Sequence, residues 1–376
     1  MRYKFFESNF GPNFCSQKVE EVKKLINSST SFTMAGMPGV GVTIFLKYLA
    51  TTNLAYFIYV DSYLLPTLSK KEFFQTLLLE LGGKPKGGDT EQLFQNCLAE
   101  LKILIGKHHK IVLIFNRFDQ LKKEFSQEFF SNIWSLRHVD SAKIMIITTS
   151  NKPLSELAPE TITVGHLNVF SKVLYLPPYS PKDSHLMVEI YIKHNLIADK
   201  SAAGVALQYS GGHYQLLQMI LKSARVSNPL QDQFIKIQLK ELYEFLDHHQ
   251  KQLIRKIALG KKIGEMDSYL TEIGLVVKKK DRYLLFTPLL TEYLKNNLPV
   301  RLPAKEALLF KLLKNNLGKL VNKEVIFNTL WSEDYDKASE WALNALIYRL
   351  RKNPTFIRSG YTVENYKKEG YLLVKN

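Results

Sequence analysis

Cysteine is scarce in this sequence, and its scarcity excludes two kinds of architecture. Cys15 and Cys97 are the only cysteines among 376 residues, and neither lies in a C-x-x-C pair or a Cys/His array. A disulfide framework and a structural zinc site are therefore unsupported. The histidine pairs at 108–109 and 248–249 do not change this, because adjacent side chains on a regular element point to different faces.

Long apolar runs are also missing. The longest, such as residues 111–115, are far shorter than the roughly 20 residues that a membrane span needs. The N-terminal sequence MRYKFFESNFGPNF lacks the apolar stretch and the small-residue cleavage site of a signal peptide. We therefore expect a cytoplasmic protein with no membrane partner.

Acidic residues are too few to balance the basic ones. The chain has 51 Lys and Arg against 35 Asp and Glu, which gives a formal charge of +16 and a pI near 9.5. This imbalance favours a polyanionic partner, such as nucleic acid or an anionic membrane surface, over a merely solvated basic surface. A chain of this length is expected to fold as roughly two to four domains.

The stretch GMPGVGVT, at residues 36–43, has the pattern of a phosphate-binding loop between a buried strand and a helix. Its glycines allow backbone N–H groups to approach an anion. The pattern G-x-x-x-x-G-K-[ST] requires a lysine where this chain has Val42, so the charge for the outer phosphates is absent. The Thr43 hydroxyl would hold Mg²⁺. The predicted nucleotide-binding residues of the loop are Gly36, Pro38, Gly39, Val40, Gly41, Val42 and Thr43.

A second departure follows the apolar run KIVLIF. In a P-loop ATPase this strand ends in an acid that holds the metal shell, but here the residue is Asn116. Asp119 is the nearby carboxylate and the candidate catalytic residue, and we expect hydrolysis to be weak or absent. A replacement cation would come from a neighbour such as Lys110 or from a partner subunit, because Lys47 should point away from the loop. The polar residues 148–151 fit either a sensor of the γ-phosphate or a plain strand end.

The order of patterns predicts the fold class. Alternating strands and helices predict an α/β P-loop NTPase, with a parallel sheet flanked by helices, followed by a helical lid. A helix, two strands and a helix then end near residue 297, which is the order of a winged helix, and a second winged helix follows. The predicted domains are residues 1–178, 179–232, 233–298 and 299–376.

Four segments carry a family resemblance: GMPGVGVT, LIFNRFDQL, LPPYSPKDS and SGGHYQLLQ. In this order they resemble the AAA+ ATPases known as signal-transduction NTPases with numerous domains (STAND), and relatives of origin-recognition proteins, over about residues 16–297. The resemblance implies ATP or ADP with Mg²⁺ as the cofactor and His213 as a lid residue facing the nucleotide. The chain departs from these proteins at Val42, at Asn116 and at Tyr214, where a proline is usual.

Residues 302–374, from LPAKEALLFKLL through RLRKN to VENYKKEGYLLV, resemble the OmpR/PhoB winged-helix domain of response regulators. The resemblance implies a third helix in the DNA major groove and a hairpin wing against the backbone or minor groove. On the helix predicted at 339–352, an apolar stripe lies opposite polar side chains. The predicted DNA contacts are Trp341, Asn344, Tyr348, Arg349, Arg351 and Lys352 on this helix, and Lys367 and Lys368 at the hairpin tip.

The predicted function is a DNA-binding protein of the transcription-regulator type, with a nucleotide-binding or vestigial ATPase module as its switch or assembly domain. Two alternatives stay open. One is an active ATPase of the origin-recognition or transposition loader type, and the other is a protein-interaction scaffold that uses its winged helices. Double-stranded DNA is the expected partner, while a homo-oligomer or the transcription machinery is left open.

Overall fold

The chain forms two compact units in the computed structural model, Met1–Thr291 and Glu292–Asn376. Each unit has its own hydrophobic core. The finer division at residues 178, 232 and 298 stays a prediction. The structure describes residues 3–85, 87–162, 164–197, 201–223, 228–297, 303–331, 339–353, 356–357, 360–366 and 369–375.

The first unit is built on a five-stranded parallel sheet in the order β2-β3-β4-β1-β5. Strands β1, β3 and β4 are buried along their whole length, as expected for a parallel sheet covered on both faces. Their carboxyl ends meet at one edge, where the loop after β1 also lies. The strands are β1 (Phe32–Ala35), β2 (Tyr56–Asp61), β3 (Ile111–Asn116), β4 (Ile144–Ser150) and β5 (Val173–Tyr175).

Helices cover the sheet and continue into the predicted lid. Side-chain caps start several of them: Ser69 and Asp89 accept hydrogen bonds from backbone N–H groups three residues on. The helices are α1 (Ser16–Asn27), α2 (Val42–Ala50), α3 (Lys70–Leu81), α4 (Thr90–Ile105), α5 (Gln127–His138), α6 (Leu154–Leu157), α7 (Leu167–Phe170), α8 (Pro181–Lys193), α9 (Ala202–Tyr209) and α10 (Tyr214–Lys222). Short 3-10 helices lie at Phe6–Phe10, Ser62–Leu64, Phe118–Glu124, Val164–His166 and Pro229–Gln231.

The next elements follow the order predicted for the first winged helix. They are α11 (Gln233–Glu244), α12 (His248–Ala258), α13 (Ser268–Glu272), β6 (Val276–Lys279), β7 (Arg282–Leu285) and α14 (Pro288–Asn297). This region packs on the lid and the sheet. The Thr287 hydroxyl donates to the Tyr209 carbonyl, and Gly274 lies so close to Pro177 and Pro178 that an added Cβ would clash.

The second unit is a winged helix, as predicted. Its elements are α15 (Ala304–Asn315), β8 (Leu320–Asn322), α16 (Lys323–Leu330), α17 (Glu340–Lys352), β9 (Tyr361–Tyr366) and β10 (Gly370–Lys375). Antiparallel strands β8, β10 and β9 form one sheet, with β9 and β10 as the wing. The apolar stripe of α17, namely Leu343, Leu346, Ile347 and Leu350, is buried in the core of this unit.

Candidate nucleotide site and candidate DNA interface

The Gly-rich loop between β1 and α2 has the backbone of a phosphate-binding loop. Gly39 and Gly41 adopt left-handed φ angles of 78° and 114°, which favour glycine. Helix α2 begins at Val42, so the N–H groups of its first turn lack intrahelical partners and carry the positive end of the helix dipole. The loop is therefore shaped to receive an anion.

The carbonyl groups of this loop are held from outside by other parts of the first unit. Four consecutive carbonyls accept hydrogen bonds from the linker before α8, from the start of α10 and from α11. The donors are His213 Nε2 (2.8 Å) and Gln238 Nε2 (3.1 Å) to Pro38, Gln215 N to Gly39 (3.0 Å), Tyr214 N to Val40 (3.4 Å) and Tyr179 Oη to Gly41 (2.7 Å). The loop conformation is thus fixed by the surrounding protein.

His213 lies behind the loop, which differs from the prediction that it faces the nucleotide. The imidazole is fully buried, and its Nδ1 accepts the Leu216 N–H as the N-cap of α10. Its Nε2 must then carry the proton that is donated to the Pro38 carbonyl. Burial lowers the pKa of His213 to about 4. With both ring nitrogens engaged, His213 positions the loop and does not line the cavity in front of it.

A cavity of about 670 Å³ lies in front of the loop, at the carboxyl edge of the sheet. Most of the predicted nucleotide residues line it, whereas Gly36 is packed against Val40 and Leu176 behind it. The lining also includes side chains from α10 and Glu241 from α11. The predicted site residues that line the cavity are Pro38, Gly39, Val40, Gly41, Val42, Thr43 and Asp119, together with residues 149–151 at the end of β4.

Asn116, at the end of β3, is the centre of a buried hydrogen-bond network. Its Nδ2 donates to Thr43 Oγ1 and to Asp61 Oδ2, each over 3.1 Å. Its Oδ1 accepts from the Thr149 hydroxyl over 3.0 Å. The position at which a carboxylate would hold the metal shell therefore carries a neutral amide whose donors and acceptor are occupied.

Arg117 and Asp61 form an ion pair that sequence reasoning does not identify. The Arg117 Nε donates to Asp61 Oδ1 over 2.9 Å, and its Nη2 donates to Asp61 Oδ2. The guanidinium also stacks over the Tyr63 ring, with Cζ 4.0 Å from the ring centroid. Asp61 is 3% exposed at its side chain and Arg117 is 30% exposed, so the arginine faces the cavity while the aspartate is buried. The available signal is that Asp61 ends the apolar run AYFIYVD and that Arg117 comes two residues after the run KIVLIF.

Asp119 lies in the cavity but is not a free carboxylate. Its Oδ2 accepts the Asn151 N–H at 3.4 Å. Burial raises the pKa of Asp119, and backbone N–H groups and the Arg117 charge partly offset the rise. Its predicted catalytic role stays a prediction.

The suggested replacement cation, Lys110, is far from the loop. It precedes β3 at the opposite edge of the sheet, where its ammonium donates to the Asn27 and Ala142 carbonyls and to the Ser29 hydroxyl. The suggestion is therefore wrong, because a parallel strand separates its two ends by its full length. Lys47 points away from the loop as predicted, with its ammonium 5.4 Å from the Phe5 ring centroid.

In the second unit, helix α17 presents aromatic and polar side chains to solvent. Trp341 is 80% exposed and Tyr348 is 63% exposed, although residues of this size are usually at least partly buried. They border a shallow groove of about 490 Å³ that Asn344 and residues of the wing also line. The groove is therefore formed by α17 and the wing together.

The predicted cationic DNA contacts differ in their surroundings. Both Nε and Nη2 of Arg351 donate to the Val363 carbonyl, at 3.1 and 2.7 Å, so this residue holds the wing. Arg349 pairs with the buried Glu306 over 3.3 Å. Lys352 is exposed near the Tyr348 ring. Lys367 and Lys368 lie outside the described residues.

In the described parts of the chain, no group of three or more His, Cys, Asp or Glu side chains is placed to hold a metal ion. Among the same residues, no helix is both long enough and apolar enough to cross a bilayer.

The fold and the two sites define a P-loop-type ATPase fold joined to a winged helix. Residues 297–373 match the family described as transcriptional regulatory protein, C terminal. This match confirms the resemblance to the OmpR/PhoB domain. A comparison with curated proteins finds no match.

Solved structures similar in fold include the following three proteins. A Walker-type ATPase of Pyrococcus abyssi is 13% identical, with a TM-score of 0.48 over 76% of this chain and 96% of that chain. The ORC2 protein of Aeropyrum pernix, in ADPNP–ADP complexes, is 15% identical, with a TM-score of 0.47 over 77% of this chain and 96% of that chain. The ORC1 protein of the same organism, in complex with DNA, is 9% identical, with a TM-score of 0.44 over 98% of this chain and 92% of that chain. Likenesses this remote assign no activity or partner to this chain.

Proposed function

We propose that this protein is a DNA-binding transcription regulator whose ATPase-like unit binds a nucleotide as a ligand and does not turn it over. Helix α17 would enter the major groove, with the wing beside it. The observation that carries the proposal is the exposed face of α17, on which Trp341, Asn344 and Tyr348 surround one groove. The family match over this segment supports the same assignment.

The net charge supports a polyanionic partner. A chain with a formal charge of +16 gains free energy from counterion release when it neutralises phosphates, and its DNA affinity should fall steeply with salt. Lys352, Lys367 and Lys368 are the proposed phosphate contacts. Their cations would position the protein, while the α17 groove would read base edges.

The composition of the cavity supports a ligand role for the nucleotide. The loop and the dipole of α2 would receive phosphate, but Val42 and Asn116 remove the cation and the acid on which turnover depends. A ligand in this cavity would contact the loop, α10 and Glu241 of α11 together. It would therefore favour the arrangement of lid and first winged helix that provides all three contacts.

Fluorescence anisotropy of the full chain with a pool of short random-sequence DNA duplexes tests the DNA-binding proposal. We expect measurable affinity that decreases with salt, and a loss of about tenfold or more in Trp341→Ala and in Tyr348→Ala. Leu308→Ala is a matched control, because Leu308 is an exposed apolar residue of α15 that does not line the groove. Absence of binding by the wild type, or equal affinity in all four proteins, would contradict the proposal.

A double variant that removes two positive charges tests whether the wing contacts phosphate. Lys367→Ala combined with Lys368→Ala should reduce the slope of log affinity against log salt by about two, since each lost phosphate contact contributes about 0.9. An unchanged slope would show that the two lysines do not contact phosphate, and it would leave the proposed role of α17 unaffected.

A further inference from the structure

The donor atoms of the candidate nucleotide site fit a divalent cation poorly. Magnesium binds near-ideal octahedra of oxygen atoms and takes one or two carboxylates when it accompanies a nucleotide. At this site the threonine that follows the loop glycines is present, but its hydroxyl accepts a hydrogen bond from Asn116 Nδ2 at 3.1 Å. A cation at Thr43 would have to displace an N–H donor that points at the same oxygen.

The nearest buried carboxylate, Asp61, already accepts hydrogen bonds from other side chains. Asp61 lies opposite Asn116 in the register of β2 and β3, and it accepts from Asn116 as well as from the Arg117 guanidinium. Both of its oxygens therefore accept hydrogen bonds, and a metal ion would have to displace these donors. The carboxylates that line the cavity directly are Asp119, which accepts the Asn151 N–H, and Glu241 on α11.

Arg117 places a cation in the cavity at the position directly after Asn116. Its backbone has a left-handed φ of 55°, which is unusual for a residue with a side chain, and its N–H donates to the Thr149 hydroxyl over 2.6 Å. This geometry carries the guanidinium back to Asp61 and to the Tyr63 ring. Among the described residues, Nη1 has no hydrogen-bond partner, so one edge of a planar, permanently charged group faces the cavity.

We infer that the cavity binds the phosphates of a nucleotide without a divalent cation, and that Arg117 supplies the positive charge that a loop lysine and Mg²⁺ would otherwise provide. This inference rests on the proposed nucleotide ligand, and it departs from the prediction of Mg²⁺ at Thr43. The loop N–H groups would hold one phosphate and the Arg117 guanidinium would hold another. Because no metal is needed to complete the site, ligand binding would not require Mg²⁺.

Isothermal titration calorimetry of the full chain with ATP and with ADP, each in EDTA and in excess Mg²⁺, tests the inference. We expect a dissociation constant that is no weaker in EDTA than in Mg²⁺. Arg117→Gln should weaken binding by about tenfold or more, since a hydrogen bond to a charged group contributes about 1.5–3 kcal/mol. Lys123→Gln removes an exposed cation of the 3-10 helix that follows Arg117, outside the cavity, and should bind like the wild type.

Two additional variants keep the test decisive if Arg117→Gln unfolds because Asp61 loses its partner. Asp61→Asn with Arg117→Gln removes the whole ion pair, and a folded double variant should still bind about tenfold more weakly than the wild type. Asn116→Asp supplies the missing acid and should make binding stronger in Mg²⁺ than in EDTA.

The outcomes separate this inference from the proposed function. Binding that requires Mg²⁺ in the wild type, or that is unchanged in a folded variant lacking Arg117, would overturn the metal-free site and leave the nucleotide ligand standing. Absence of binding in EDTA and in Mg²⁺ would overturn both the metal-free site and the proposed nucleotide ligand. Binding in EDTA that is lost with Arg117 and kept in Lys123→Gln supports the inference.

Discussion

The Tyr371 hydroxyl of strand β10 donates a hydrogen bond to Asn344 Oδ1 of helix α17 over 2.7 Å. The Tyr371 ring is buried in the core of the winged helix, whereas Asn344 lies at the solvent-facing groove. The wing thus fixes which end of the Asn344 amide faces outward. With its oxygen held by a donor, the amide presents its NH₂ group, which suits an acceptor such as a purine N7 or guanine O6.

Tyr371→Phe should therefore broaden the base preference at one position of the DNA site. The ring keeps its packing, so we expect a decrease of only about 0.5–1.5 kcal/mol in the free energy of unfolding. Selection from a random duplex pool, followed by sequencing, measures the preference. Tyr361→Phe is the control, because this tyrosine of the same sheet does not bond to Asn344. Identical selected sites in wild type and Tyr371→Phe would show that the amide is not oriented by this bond.

Arg351→Gln should destabilise the second unit more than it weakens phosphate binding. The guanidinium makes two hydrogen bonds to the Val363 carbonyl, and their loss should lower the free energy of unfolding by about 1–3 kcal/mol. The salt dependence of DNA binding should stay the same, because Arg351 is engaged within the protein. For the exposed Lys352, Lys352→Gln should lower the salt slope by about 0.9 without changing stability. Urea unfolding measures the free energy of unfolding, and anisotropy titrations measure the salt slope. A lower slope in Arg351→Gln would show that Arg351 contacts DNA phosphate after all.

The stability of the first unit should decrease in mild acid because of His213. Its pKa lies at about 4 in the folded protein, below its ordinary value of 6.5, owing to burial. The unfolded chain therefore binds the proton first. The contribution of His213 to stability is fully present above its ordinary pKa of 6.5 and is lost progressively as the pH falls toward about 4. The difference corresponds to about 3 kcal/mol.

Urea unfolding at a series of pH values checks this expectation. His213→Gln, which replaces the imidazole with an amide that does not titrate, should lose this part of the pH dependence. His109→Gln, at an exposed histidine, should retain it. A pH profile that is the same in His213→Gln and the wild type would assign the acid sensitivity to other groups.

Val42→Lys should strengthen nucleotide binding. Val42 is only partly buried and lines the cavity, so a lysine there can extend its ammonium toward a bound phosphate. We expect about tenfold or more tighter binding of ATP by calorimetry. Leu79→Lys adds the same charge at an exposed position of α3, outside the cavity, and should have no effect. Equal affinity in Val42→Lys and wild type would mean that phosphate does not reach the loop.

Much of the fold could be predicted from the sequence, because local patterns specify it. The apolar runs that form β1 to β5 are buried as parallel strands, and the helix predicted at 339–352 is observed as α17, with Ser339 as its N-cap. The Gly-rich loop and the helix after it follow from glycine and from the helix N-terminus. The exposed position of Trp341 also follows from spacing, because at about 100° per residue it falls on the face of α17 opposite the apolar stripe.

The less predictable parts of the site depend on contacts between distant segments. The ion pair of Asp61 and Arg117 joins two strands and requires the left-handed backbone at Arg117, which no local pattern indicates. His213 has the residue type of a ligand contact, but its place behind the loop follows from capping α10. Arg351 is on the polar side of its helix, yet the neighbouring wing strand takes up its donors. In each case tertiary packing, and not sequence spacing, decides what the side chain contacts.

The packing behind the loop also bears on how this motif would change in descendants of the protein. A Cβ at Gly39 would lie 2.4 Å from Gln215 Oε1, and a Cβ at Gly41 would lie 2.5 Å from the Tyr179 ring. Gly212 is equally constrained, with the Tyr179 carbonyl 2.1 Å from an added Cβ. These glycines are required by the fit between loop and lid whether or not phosphate binds. A descendant that had lost its ligand altogether would still be selected to keep them, so the glycine signature would outlast the binding activity with which it is usually associated.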